Sequence, residues 1–177
     1  LNWAYSEPAV TPSFGYTEPA IDADGNVYVI SGNSLVKISN SGAQAWTKAL
    51  SMWGGNCPDV TPSLEADGSV VYTAGGTDNT VRVYALNAAD GSEKWTVGYD
   101  GFFQPNNSKL LSFWRAGVAV GDDHLFVSCT RGYSINAFSK ANGSRTTYAS
   151  TAADGSKMDY SLTCSPALTK DGVVAAK

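Results

Sequence analysis

Charge is scarce in this chain of 177 residues: Lys and Arg total 12, Asp and Glu 16, and there is one His, for a net charge of −4. No basic run occurs and aromatics are not interleaved with Lys or Arg, so a nucleic acid or an anionic membrane surface has no electrostatic footing. No stretch reaches the roughly 20 apolar residues that cross a bilayer as a helix, so the chain is not expected to span a membrane. No charged leader with a following apolar run opens it, and any targeting signal is expected outside this sequence. Cysteine is limited to Cys57, Cys129 and Cys164, an odd number without Cys-x-x-Cys spacing. That argues against zinc; buried thiols are the expectation, and a disulfide stays open as the alternative. Helical periodicity is missing too: no window of about 11 to 18 residues shows an amphipathic pattern.

What is present is turn formers and short β-forming runs. Ser, Thr, Asn and Gly are plentiful while Lys and Glu are few, a composition that suits an extracytoplasmic β-protein, whether periplasmic, secreted or at the cell surface. Asp24-Gly25 recurs as Asp67-Gly68, 43 residues later, and in fainter form as Asp171-Gly172. A Gly followed four residues later by Trp occurs as Gly42 with Trp46 and Gly91 with Trp95; after Gly143 the aromatic, Tyr148, comes five later. Trp3, Trp46 and Trp95 are spaced by 43 and 49 residues. A repeat of roughly 40 to 50 residues built of short strands is the mark of propeller blades.

The runs divide accordingly. The first unit, 18–48, holds strands at Pro19–Ile21, Val27–Ile30, Leu35–Ile38 and Gln44–Thr47, bounded by turn residues. The second, 62–96, contains Val70–Ala74, a polar break at Gly75–Asn79, Val81–Leu86 and the segment ending in Trp95. The third, 115–149, has strands at Ala116–Val120, Leu125–Cys129, Ser134–Ser139 and Ser144–Ala149. A partial unit spans 165–177, and Leu1–Tyr5 is expected to be the outer strand of a preceding blade. The whole chain, 1–177, thus reads as one all-β propeller domain of four-stranded antiparallel blades, about three whole with partial ones at both ends, and a fragment of a longer chain.

The pattern Pro-Ala/Ser-x-x-x-Asp-Gly-x-Val-Tyr-Val, continuing through Val81-Arg82-Val83-Tyr84-Ala85-Leu86-Asn87-Ala88-Ala89-Asp90-Gly91-Ser92-Glu93-Lys94-Trp95, resembles the PQQ-like repeat of the quinoprotein-dehydrogenase-like β-propellers. It covers nearly all of 18–177. WD40 repeats share the period, but no Trp-Asp or Gly-His pair is found here. The resemblance implies that Trp3, Trp46, Trp95 and, in weakened form, Tyr148 pack across to the neighbouring blade. Dehydrogenases of this family carry a vicinal Cys-Cys pair and acidic calcium ligands beside the quinone; neither is in this sequence, so a non-catalytic member without cofactor is expected. A fragment of a true quinoprotein dehydrogenase, and an accessory domain of a secreted polysaccharide-active protein, are the alternatives.

Chemistry is then sought in the irregular lead-ins. In a four-stranded blade the connections before the first strand and between the second and third strands share one face. That face receives Ser6–Thr17, Ser51–Thr61, Val97–Trp114 and Ser150–Thr163, while the Asp-Gly turns lie opposite. Long aromatic loops on a rigid scaffold commonly carry recognition. Trp53, Phe102, Phe103 and Trp114, with Arg115 as polar anchor, are the candidate binding residues, for a protein or carbohydrate partner; plugging the channel is the bland alternative. Exposed blade edges also allow self-association. Asp22-Ala23-Asp24-Gly25-Asn26 looks like half a calcium loop, but no bidentate Glu follows, and a hairpin turn accounts for it. His124, beside Asp122-Asp123, reads as a turn residue. No nucleophile elbow, P-loop or paired acid/base set stands out.

Overall fold

The computed structural model describes residues 3–5, 18–50, 61–77, 80–100, 117–128, 134–149, 166–169 and 172–174. All regular structure there is β. The first sheet is formed by β1 (Ala20–Ile21), β2 (Val27–Ser31), β3 (Ser34–Ile38) and β4 (Gln44–Ala49), each pairing antiparallel with the strand before it. The second comprises β5 (Ser63–Leu64), β6 (Val70–Thr77), β7 (Thr80–Asn87) and β8 (Glu93–Asp100), in the same order. The third contains β9 (Val118–Val120), β10 (His124–Ser128), β11 (Ser134–Ser139) and β12 (Arg145–Ala149). β13 (Ala167–Thr169) and β14 (Gly172–Val174) form a two-stranded sheet.

Successive sheets pack face to face, which explains why the middle strands read as continuous apolar runs. On β6, Val71 enters the core shared with the first sheet, alongside Tyr28, Ile30, Leu35, Tyr84 and Leu86. Its neighbours Val70, Tyr72 and Ala74 enter the core shared with the third sheet, with Val83, Leu125, Val127 and Phe138. Side chains alternate across a strand, so a strand buried on both faces shows no polar alternation. Tyr28, Leu35, Leu86, Leu125 and Phe138 are wholly buried. Each such side chain contributes about 1.5 to 3 kcal/mol of burial free energy.

Several strand ends differ from the sequence expectation. Gly75–Thr77, read as a polar break, extend β6: Gly75 faces Arg82, Gly76 faces Val81 and Thr77 faces Thr80 across a narrow hairpin. Pairing of the lengthened β7 then carries β8 to Asp100, opposite Thr80, so Val97–Asp100 are strand and not lead-in. Backbone pairing with an already formed neighbour outweighs the weak strand preference of glycine. His124 begins β10 opposite Ser139, with an exposed side chain, instead of lying in the turn. Trp3–Tyr5 are described without strand pairing, although Leu1–Tyr5 was expected to be a strand.

Candidate functional site

The connection from β3 to β4 and its counterparts in the next two sheets form the best-defined polar constellation. Each begins with a carbonyl that meets an indole from the preceding part of the chain. Trp3 Nε1 donates to Asn40 O at 2.9 Å, Trp46 Nε1 to Ala88 O at 3.1 Å and Trp95 Nε1 to Lys140 O at 2.8 Å. The rings lie over the turn glycines. A Cβ on Gly42 would stand 2.7 Å from Trp3, on Gly91 2.9 Å from Trp46, and on Gly143 2.8 Å from Trp95. Bulges between Lys37 and Ile38 and between Ala85 and Leu86 adjoin the two strand tryptophans, which lie opposite Lys37 and Ala85. A bulge bends its strand and re-aims the neighbouring side chain.

The third sheet departs from this register. Thr146 pairs with Ala137, the position matching Lys37 and Ala85, while Tyr148 pairs with Ile135. Tyr148 therefore stands at the strand position of Lys48 and Val97.

Around each junction a tyrosine and a carboxylate meet. Tyr28 Oη donates to Asp22 Oδ2 at 3.1 Å, and Tyr72 Oη to Glu65 Oε2 at 2.8 Å. Burial drives both phenols well above their ordinary range, and the accepting carboxylates add to it. At the matching positions of the third sheet the pair is replaced as a unit by Phe126 and Gly121. There Lys140 supplies the polar contact instead: its Nζ lies 2.7 Å from Glu65 Oε1 and donates to Gly121 O at 3.0 Å. Burial pushes the Glu65 carboxyl up, but hydrogen bonds from Lys140 and Tyr72 outweigh it and hold the group below its usual range. At the first junction Lys37 Nζ donates to Ala88 O at 2.9 Å, the carbonyl that also accepts from Trp46. Sequence reading missed these lysines and carboxylates; the joint appearance of Tyr with an acid in two repeats, and their joint loss in the third, was the available signal.

Asp22 is fully engaged by its own hairpin. Its carboxylate accepts from the backbone N–H groups of Asp24 and Asn26, the Asn26 amide and Tyr28. These donors satisfy it without a cation, and no group of three or more His, Cys, Asp or Glu suited to a metal ion occurs among the described residues. Trp53, Phe102, Phe103, Trp114 and Arg115 lie outside the described residues, as do Cys57, Cys129 and Cys164. Strand alternation sends the chain out of β4 and β8 at the end of each sheet opposite the Asp-Gly turns.

Against this geometry, the family model for the outer membrane protein assembly factor BamB matches residues 7–176. The chain belongs to the BamB family. Its BamB-type fold is also evident in solved structures. BamB from Moraxella catarrhalis superposes with a TM-score of 0.57 at 18% identity, covering 88% of this chain and 43% of that one. A protein of unknown function from Bacteroides caccae gives a TM-score of 0.60 at 14% identity, with 90% and 52% covered. The chain thus spans about half the length of the structures it matches. Identities this low establish a shared β-propeller fold. No curated protein matches the sequence.

Proposed function

We propose that this chain is part of a non-catalytic, extracytoplasmic β-propeller that serves as a binding or scaffold module, periplasmic or associated with the outer membrane, and recruits a protein partner. The observation that carries this reading is the division of labour along the repeat. The tryptophans, turn glycines, tyrosines and acids that recur are engaged with one another at the sheet junctions. In this reading Trp3, Trp46 and Trp95 dock successive blades of a single domain, and Tyr148 takes a lesser share of the same task. Recognition falls to the irregular lead-ins, where Trp53, Phe102, Phe103, Trp114 and Arg115 supply the rigid aromatic and guanidinium groups favoured at interfaces. The family description, an outer membrane assembly factor, supports both the compartment and a protein partner.

The test is substitution of Trp53, Phe102, Trp114 and Arg115 by Ala, singly, with thermal unfolding and cross-linking to outer-membrane extracts measured on the same samples. The expected result is loss of a discrete cross-linked protein with an unchanged melting temperature. Melting temperatures that fall together with binding would show that these side chains fill the channel or pack between blades. Binding that survives on a glycan array while the protein cross-link is absent from wild type would move the assignment to carbohydrate. Light scattering at rising concentration tests the further expectation of self-association through the outer strands.

A further inference from the structure

The end of the molecule that bears the Asp-Gly turns has a feature the repeat does not account for. Between the β1–β2 turn and the β5–β6 turn opens a cleft of about 230 Å³. Its walls include the aliphatic side chains of Ile21 and Leu64 and the acidic residues Asp22, Asp24, Glu65 and Asp67. Ile21 is 63% exposed, an unusual degree for a residue whose counterparts Leu64 and Val120 pack against buried cores.

The next junction shows what such a gap accepts. Between the corresponding turns of the second and third sheets sits the Lys140 ammonium, 2.7 Å from Glu65 Oε1 and 3.0 Å from Gly121 O, with its side chain largely buried. Register places Ala88 where Lys140 stands, and Ala88 has no side chain able to reach the turns. Lys37 does not substitute for it there, since its ammonium is directed to Ala88 O. The first gap therefore keeps the acidic and aliphatic walls without the lysine.

We propose that this cleft is a docking point for a lysine side chain presented by a partner protein. The alkyl stem lies along Ile21 and Leu64, and the ammonium reaches the carboxylates at the mouth, chiefly Asp24 and Asp67, the latter also accepting from Ser69 N–H and Oγ–H through Oδ1. Asp22 and Glu65 are engaged by Asn26 and Tyr28, and by Tyr72 and Lys140, and contribute field more than direct contact. Lysine suits the arrangement because it joins an apolar stem to a compact charge. A divalent cation does not, since the described carboxylates converge in no metal-binding group. The cleft is formed by the β1–β2 and β5–β6 turns, so this proposal stands or falls separately from the assignment of the lead-in loops.

The test is an NMR titration of the 177-residue chain with three probes: Nα-acetyl-lysine methylamide, its norleucine counterpart, which keeps the stem and lacks the charge, and calcium chloride. The lysine derivative is expected to shift the amides of Gly25 and Gly68 saturably, with the other two probes inert there. The double variant Asp24→Asn/Asp67→Asn leaves Asp22 to hold the first turn and keeps an amide oxygen for Ser69 in the second, and it is expected to bind about tenfold more weakly at an unchanged melting temperature. Equal shifts from norleucine, saturation by calcium, or undiminished lysine binding in the folded double variant would each overturn the proposal.

Discussion

Gly91 answers to two constraints of different origin. Its φ of 73° is one that side-chain-bearing residues rarely adopt, and its missing Cβ leaves room for the Trp46 ring. Gly68 has nearly the same φ, 72°, but a Cβ there would meet nothing within 4 Å. Comparing Ala at the two positions separates the backbone contribution from the contact with the ring. Gly68→Ala is expected to cost about 1 kcal/mol, and Gly91→Ala a further 1 to 3 kcal/mol, roughly, from overpacking; equal losses in urea unfolding would refute the role of the indole. Thr73 gives the opposite sign. It is wholly buried, its Oγ1 has no hydrogen-bond partner, and the matching strand positions hold Val29 and Val127. Thr73→Val keeps the shape and removes an unpaired hydroxyl, so a gain of about 1 kcal/mol is expected, read as a higher melting temperature.

At the scale of elements, the second and third sheets are joined by a partly buried ion pair as well as by apolar packing. Lys140 and Glu65 are only 18% and 19% exposed. Against the upward push of burial, the Glu65 carboxyl is held below the ordinary glutamate range in the folded chain by its hydrogen bonds from Lys140 and Tyr72. A depressed acid stabilises the fold above its unfolded pKa, and that contribution is lost as the pH falls through the folded value. Glu65→Gln should thus lower the melting temperature near neutral pH, by the equivalent of about 1 to 3 kcal/mol. Once the pH falls below the depressed folded value the gap should close, because the wild-type group is then neutral as well. A gap that stays constant with pH would assign the effect to shape. The exposed pair Lys48–Glu93, 2.8 Å apart, lies across the first and second sheets and is expected to matter far less.

For the whole molecule, the repeat makes stability a sum over neighbouring sheets. Trp46 contacts the turn at Ala88 and Gly91, whereas Trp95 contacts the turn at Lys140 and Gly143, and these two sets of contacts have no residue in common. Replacing either by Ala is expected to cost about 3 kcal/mol. Replacing either by Phe, which keeps most of the ring and loses the indole N–H, should cost less. The two Phe variants combined should show the sum of their separate effects to within about 0.5 kcal/mol in urea unfolding. A clear departure would mean that the two junctions form one cooperative unit.

Strand composition and turn residues alone determined the all-β class, the repeat, its period and nearly every hairpin, because these follow from local propensity and from glycine at positive φ. Tertiary structure decided the rest. The extension of β6 through Gly75–Thr77 depends on pairing with β7, which glycine does not advertise. The second duty of Gly42, Gly91 and Gly143, as the floor beneath an indole, involves partners 39 to 48 residues away in the chain. The Lys140–Glu65 contact joins positions 75 apart, and only packing of the second sheet on the third brings them together. Period and turn chemistry are local and recur along the chain, whereas a junction's charge depends on which side chain each neighbouring sheet presents.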